Sequence, residues 1–361
     1  MSAPNILTAV KNSAPVSSPI PTRFTQHYNI RHAFTQAGMA FAGWSPQLAA
    51  AVSMAGGIGA IGAGLLPEPV VRQLVRALQA SNCGLYNFNF LTNFDHDAQV
   101  RACAEMGVPI VSFHWGHPSA ALIRVLKDAG CQIWEQVGTV EHARQALGDG
   151  VDVIIAQGHE AGGHNFQGLS DSPLGTFVLV PTMRDALGDD VLLLASGGIA
   201  DGRGVAASLA LGADGVWVGT RLVASEEAAS HPEHKRRVVV ATGSDTVYSH
   251  IFGPDQPAFN PMRLLKNGVV KEWNNRLSEV PKDNSASAVI GKTMMGGQEM
   301  ILRKFSVLLP TPDTSGDWEE MPFLAGQGVG LVNDILPAAQ IVERMMSEAA
   351  VLLGKGARIR M

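Results

Sequence analysis

The chain repeats one pattern eight times: a short apolar run, then a segment with helical spacing. The runs are "AFTQAGM" (33–39), "GIGAIGAG" (57–64), "GLYNFNF" (84–90), "PIVSFHWG" (109–116), "QIWEQV" (132–137), "VDVIIAQG" (151–158), "VLLLASGG" (191–198) and "GVWVGT" (215–220). The segments between them, among them "SPQLAAAVSMA", "PEPVVRQLVRALQA" and "DGRGVAASLALG", open near Ser, Pro, Thr or Asp, and several close on Gly, as capped helices do. Continuous apolar runs describe strands buried on both faces, which is how parallel sheets behave; strict alternation would leave one face wet. Eight such βα units predict an α/β fold, a TIM (β/α)8 barrel. An open doubly wound sheet is the alternative.

The rhythm stops after Thr220. Residues 226–320 are richer in Pro, Lys, Arg and Asn, punctuated by "GPDQPAFNP" and "VPKDNSAS". They are expected to form a second, smaller and mainly helical domain or cap. "VNDILPAAQIVERMMSEAAVLL" then has helical periodicity and should return to the barrel as its last helix. The predicted division is 1–225 barrel, 226–320 second domain and 321–361 returning helix, with 361 residues enough for one large domain and an appendage.

Bulk properties remove several function classes. A formal charge of -5 offers no electrostatic footprint for nucleic acid or an acidic membrane. No apolar run reaches the roughly 18 residues needed to span a bilayer. Cys83, Cys103 and Cys131 stand far apart and predict reduced, buried thiols in a cytoplasmic protein. "MSAPNILTAVKNSAPVSSPIPTRF" has no signal-peptide core and is expected to be a loose lead-in.

In a barrel the chemistry sits at the carboxyl ends of the strands. There the sixth run ends in "AQGHEAGGH", Ala156 to His164. Gly162 and Gly163 are expected to make room for a ligand, with His164 doing the chemistry and His159 and Glu160 in supporting or merely structural roles. The seventh and eighth runs end in "SGG" (Ser196, Gly197, Gly198) and "GT" (Gly219, Thr220), where barrels often hold phosphate on backbone N–H groups and helix N-termini. "GIGAIG" at Gly57–Gly62 matches GxGxxG but follows a helical segment, and position 82 is Asn where an acid is needed, so it predicts a strand and no dinucleotide site. "HWGH" (His114, His117) with His159 or His164 leaves a metal hydrolase as a remote alternative, lacking an HxH or a suitably placed carboxylate. A non-catalytic flavin-binding protein is another.

These motifs resemble the nitronate monooxygenases. The likeness rests on Gln157–His164 in "AQGHEAGGH" and on "GGIADGRG…ALGADGV…GTR" from Gly197 to Arg221. It extends to "TQAGMA", "NFLT", "PIVSFHWG" and "AGQGVG" at Ala325–Gly330. The resemblance implies FMN across the barrel mouth and no metal. Its phosphate would lie on Ser196, Gly197, Gly198, Gly219 and Thr220. Gly38, Met39, Ala40, Asn89, Gln136 and Gln157 would line the ring and ribityl chain, with Ala161, Gly162 and Gly163 close to the flavin. His164 would remove the proton α to a nitro group or orient a preformed nitronate. The implied partners are a small-molecule substrate and molecular oxygen, with a homodimer left open. Gln136 stands where some relatives carry lysine, and Asn165-Phe166 where Arg-Gly is frequent. FMN-dependent quinone and enoyl-acyl-carrier-protein reductases share the signature, but they need an anion site for NAD(P)H. The loops after strands 3 to 6 hold no Lys or Arg pair; cations gather instead in the second domain, at "HKRR" (234–237), Arg263, Lys266 and Lys271, whose ordinary meaning is a solvated face.

Overall fold

The computed structural model describes residues 19–359 apart from 167–169, 258–259 and 296. Nine strands come first: β1 (Phe34–Gln36), β2 (Gly59–Gly62), β3 (Tyr86–Leu91), β4 (Ile110–His114), β5 (Gln132–Val137), β6 (Val153–Gln157), β7 (Gly163–His164), β8 (Leu192–Ser196) and β9 (Gly215–Val218). All but β7 form one parallel sheet in the order β1-β9-β8-β6-β5-β4-β3-β2, and a parallel bridge between Thr35 and Ile58 brings β1 back to β2. This is the expected TIM barrel. Around it run α1 (Arg23–Tyr28), α2 (Pro46–Met54), α3 (Glu68–Ser81), α4 (Asp97–Glu105), α5 (Ala120–Asp128), α6 (Val140–Gly148), α7 (Thr176–Leu187) and α8 (Gly202–Ala210).

The two-faced burial read from the apolar runs is visible in β6. Val153 and Ile155 join Ile58, Ile110, Trp134, Leu194 and Trp217 inside the barrel, whereas Ile154 and Ala156 face the helices. The helices start where short polar side chains cap them. Ser45 Oγ accepts from Leu48 N, Ser119 Oγ from Leu122 N and Thr139 Oγ1 from His142 N. The lead-in lies mostly outside the described residues. Its last two, Arg23 and Phe24, open α1, which closes the barrel floor: Phe24 is buried against Trp134, whose indole N–H donates to Tyr28 Oη at 2.8 Å.

The GxGxxG glycines serve packing. A Cβ at Gly59 would lie 2.0 Å from the carbonyl oxygen of Ala49 on α2, and one at Gly62 would lie 2.3 Å from that of Met39. Helix and loop therefore touch β2 backbone to backbone.

The segment after β9 departs from expectation. It holds α9 (Thr220–Val223), α10 (Pro232–Val240) and α11 (Gly268–Trp273), together with β10 (Thr246–Ser249), β11 (Met262–Leu265), β12 (Val289–Met295), β13 (Gln298–Arg303) and β14 (Ser315–Gly316). The strands build two antiparallel-paired three-stranded sheets, β10-β11-β7 and β13-β12-β14, so the region is mixed and not mainly helical. Sparse apolar positions hid these strands: β13 leaves four of its six residues exposed. A final helix, α12 (Ala338–Ile359), packs along α8 and α2, burying Ile341, Val342, Met345, Met346 and Ala349 in the main core. Gly202 permits the approach, since its Cβ would lie 2.3 Å from that of Glu348.

Candidate active site

The chain leaving β6 is held from both sides. Glu160 caps α7, its carboxylate accepting from Thr176 N at 2.8 Å and from Thr176 Oγ1 at 3.0 Å. Asn165, fully buried, donates from Nδ2 to the carbonyls of Gly158 (3.0 Å) and Ala161 (3.2 Å), which closes the loop on itself. Gly163 then takes φ +71°, and β7 pairs antiparallel with β11, Met262 opposite His164 and Arg263 opposite Gly163. The carbonyl of His164 accepts from Gln157 Nε2 at 3.0 Å and lies 3.2 Å from His114 Nε2. Burial drives the His114 pKa down to about 4, so this ring is neutral near pH 7 and donates that bond. Trp115 meets the His164 ring edge-on at 5.2 Å and stacks on Phe166.

One cleft at the carboxyl end of the barrel collects every predicted site residue. Gly38, Met39, Ala40, Asn89, Gln136, Gln157, Ala161, Gly162, Gly163, His164, Ser196, Gly197, Gly198, Gly219 and Thr220 all line it, and it encloses about 1390 Å3 counting its open mouth. Residues given no role from sequence also line it. His114 has only the remote metal-ligand reading in the sequence; His234, Met262, Val307, Leu308, Leu309 and Leu324 come from beyond the barrel strands. The cue for the last group was "VLLP", an apolar run inside a polar stretch, but nothing in the sequence aims it at the barrel mouth.

Two expectations change. Gly162 makes room for protein: its Cβ would lie 2.5 Å from Gly326 N, so "AGQGVG" seats directly on the "AGGH" backbone, and Gly328 sits likewise on Gly198. The N-terminus of α8 cannot receive an anion, because Asp201 takes the N–H groups of Arg203 and Gly204 and Glu348 takes that of Gly202. The turns before the helices remain. Gly197 and Gly198 adopt φ +107° and +74°. Among the described residues the backbone N–H groups of Gly197, Gly198, Gly219 and Thr220 donate to no other backbone group.

His159 and the cations lie elsewhere. His159 Nε2 is 2.9 Å from Arg263 Nη2, and burial, with the guanidinium adding to it, lowers its pKa. The buried Arg263 guanidinium covers the Tyr248 ring at 4.1 Å and donates to His159 O at 3.2 Å. Arg236 and Arg237 both pair with Glu233 at 2.7 Å, Lys235 donates to Ser225 O at 2.7 Å and Lys266 to Ser244 O at 2.8 Å. His117 is taken by Glu135 at 2.8 Å, and among the described residues no group of three or more His, Cys, Asp or Glu is placed to hold a metal ion. No helix among them is long and apolar enough to cross a membrane.

A family model for nitronate monooxygenase matches residues 79–348, three quarters of the chain. The chain belongs to the nitronate monooxygenase family. As a family member it is a flavin-type monooxygenase. It is 31% identical over 304 residues to a probable nitronate monooxygenase of Staphylococcus saprophyticus, which covers 73% of this chain and 83% of that one. Among solved structures, FabK from Thermotoga maritima is 32% identical with a TM-score of 0.78, covering 95% of this chain and all of that one. Nitroalkane oxidase from Streptomyces ansochromogenes is 26% identical with a TM-score of 0.74, covering 92% and 99%.

Proposed function

We propose that this nitronate monooxygenase family member binds FMN in the cleft and oxidises alkyl nitronates with molecular oxygen. The reading rests on one observation: the two glycine turns, three amide side chains and His164 converge on a single cleft. The residues fit the cofactor. Free N–H groups at Gly197–Gly198 and Gly219–Thr220 suit a phosphate, and Gly38, Met39, Ala40, Asn89, Gln136 and Gln157 offer a narrow apolar wall with amide dipoles for a flat, polar-edged ring. Gly38 is obligatory there, since a Cβ would lie 2.3 Å from the Asn89 side chain. Ala161, Gly162 and Gly163 complete the far wall. Bound FMN would supply electron transfer and oxygen activation.

The chain's own contribution is positioning and proton handling. Pairing of β7 with β11 and the two donors on its carbonyl fix the main chain of His164. Its imidazole can then hold or accept a proton at the carbon bearing the nitro group, or orient a nitronate already formed; such help is typically about 10²–10⁴-fold. The neutral, buried His114 behind it adds no competing charge. A nicotinamide dinucleotide would require free cations; none lines the cleft among the described residues, and Lys235, Arg236, Arg237, Arg263 and Lys266 are engaged within the protein.

His164→Ala tests the assignment. The variant should retain released FMN at the wild-type ratio while turnover of a nitroalkane falls by about 10² or more. Full activity on every nitroalkane and nitronate tried would refute the role of His164.

A further inference from the structure

We propose that the outer wall of the same cleft selects an apolar tail on the substrate, so that the best substrates are nitronates of longer, uncharged chains. The inference rests on the proposed function and adds what that reading leaves open, the part of the substrate beyond the nitronate carbon. The cleft is lined both by the barrel rim, where the flavin is proposed to lie, and by the segment beyond β9, so a molecule beside the flavin would meet this second wall.

The barrel strands supply the glycines, amides and His164 already assigned. What the segment beyond β9 adds is different in kind. Met262, Val307, Leu308, Leu309 and Leu324 line the cleft from that side, with the backbone of Gly326 and Gly328 and with His234, whose buried, neutral ring is already bonded to Leu324 O at 3.1 Å. Met262 and Leu309 are buried, but Val307, Leu308 and Leu324 are only partly covered by protein and present apolar surface to the open space. Met262 stands directly opposite His164 in the β7–β11 pairing, so this wall begins beside the histidine. Among the described lining residues none is Lys, Arg, Asp or Glu, although the chain has 27 basic and 32 acidic residues. A carboxylate or phosphate on the substrate tail would lose its water and meet no countercharge. A methylene there would cover exposed leucine, and each one buried should be worth about fourfold in affinity.

The experiment compares nitronates of nitroethane, 1-nitropropane, 1-nitrobutane and 1-nitrohexane with that of 3-nitropropanoate, using FMN-saturated protein and oxygen uptake. kcat/KM should climb about two- to fourfold per methylene, and 3-nitropropanoate should fall at least tenfold below 1-nitrobutane. Leu308→Lys should narrow that last ratio at least tenfold by supplying a countercharge. Calorimetric titration with primary n-alkanols of the same lengths, which carry no nitro group to react, reads the same wall without turnover, and Kd should fall in the same steps. A flat series in both measurements, or a preference for the carboxylate, overturns the inference. Absent turnover of every nitronate with a graded binding series would instead overturn the proposed reaction and leave the apolar wall standing.

Discussion

Asn165 ties the active-site loop to itself through its buried side-chain amide. In Asn165→Ala the loop loses donors to the carbonyls of Gly158 and Ala161, now bonded at 3.0 and 3.2 Å. Gly158 O keeps the N–H of Ala161 at 3.1 Å, so its loss is that of one ordinary hydrogen bond, about 1 kcal/mol. The Ala161 carbonyl loses its side-chain donor in a fully buried setting, at about 1–3 kcal/mol. Together these predict a destabilisation of about 2–4 kcal/mol. With an unfolding entropy of about 2.1 cal/mol/K per residue over 361 residues, 3 kcal/mol lowers Tm by ~4 °C. Differential scanning calorimetry on FMN-saturated wild type and variant reads this directly. Because the loop carries Gly162 to His164, kcat should fall alongside. A variant within 1 °C of wild type and with unchanged kcat would show that the closed loop is not what holds His164 in place.

Two further outcomes follow from the cleft and the buried histidines. Gly219 has φ outside the left-handed region, and a Cβ there would meet only Ala37 Cβ at 3.5 Å and Met39 Sδ at 3.8 Å. Gly219→Ala should therefore fold with an unchanged apoprotein Tm while its FMN Kd rises at least tenfold; unchanged FMN affinity would place the phosphate elsewhere. Acidification should destabilise the fold in a defined window. His114 and His234 are held down to about 4 by burial, against about 6.5 unfolded, so their contributions are complete above pH 6.5 and are lost as pH falls towards 4, each at about 1.4 kcal/mol per pH unit. Glu135, raised to about 7 by burial, acts oppositely: its contribution is present below about 4.5 and lost as pH rises through 7. Between pH 6.5 and 4.5 these three groups net one proton, or roughly 1.4 kcal/mol per unit, and His32, His96, His159, His231 and His250, all lowered by burial, add in the same direction, so urea midpoints should fall by at least that much. Midpoints that stay level over that range would contradict it.

The barrel was legible because its rule is local. Apolar runs such as "VDVIIAQG" must be buried on both faces, capping residues such as Ser45 and Thr139 mark where helices begin, and eight repeats admit few closures. The residues that converge on the cleft were legible for the same reason, since strand ends in a barrel share one rim. What the sequence concealed depends on contacts distant along the chain. β7 exists only because β11, about 100 residues later, pairs with Gly163 and His164. The requirement for glycine at 162 comes from Gly326, and the occupation of the α8 N-terminus comes partly from Glu348. The strands of the mixed second region are hidden in the sequence because those with most residues exposed, such as β13, carry no burial period.

The proposed oxidation of nitronates by oxygen and the absence of Lys or Arg from the described cleft lining together predict a flavin that nitronates reduce and nicotinamide nucleotides do not. One stopped-flow comparison tests it most directly. FMN-saturated protein mixed anaerobically with an alkyl nitronate should lose its visible flavin absorbance rapidly, and the same mixture in air should consume oxygen. Anaerobic NADH or NADPH should leave the absorbance unchanged or bleach it only slowly. Rapid bleaching by either nucleotide, with no oxygen uptake on any nitronate, would rule out nitronate oxidation and assign the chain to the reductase branch.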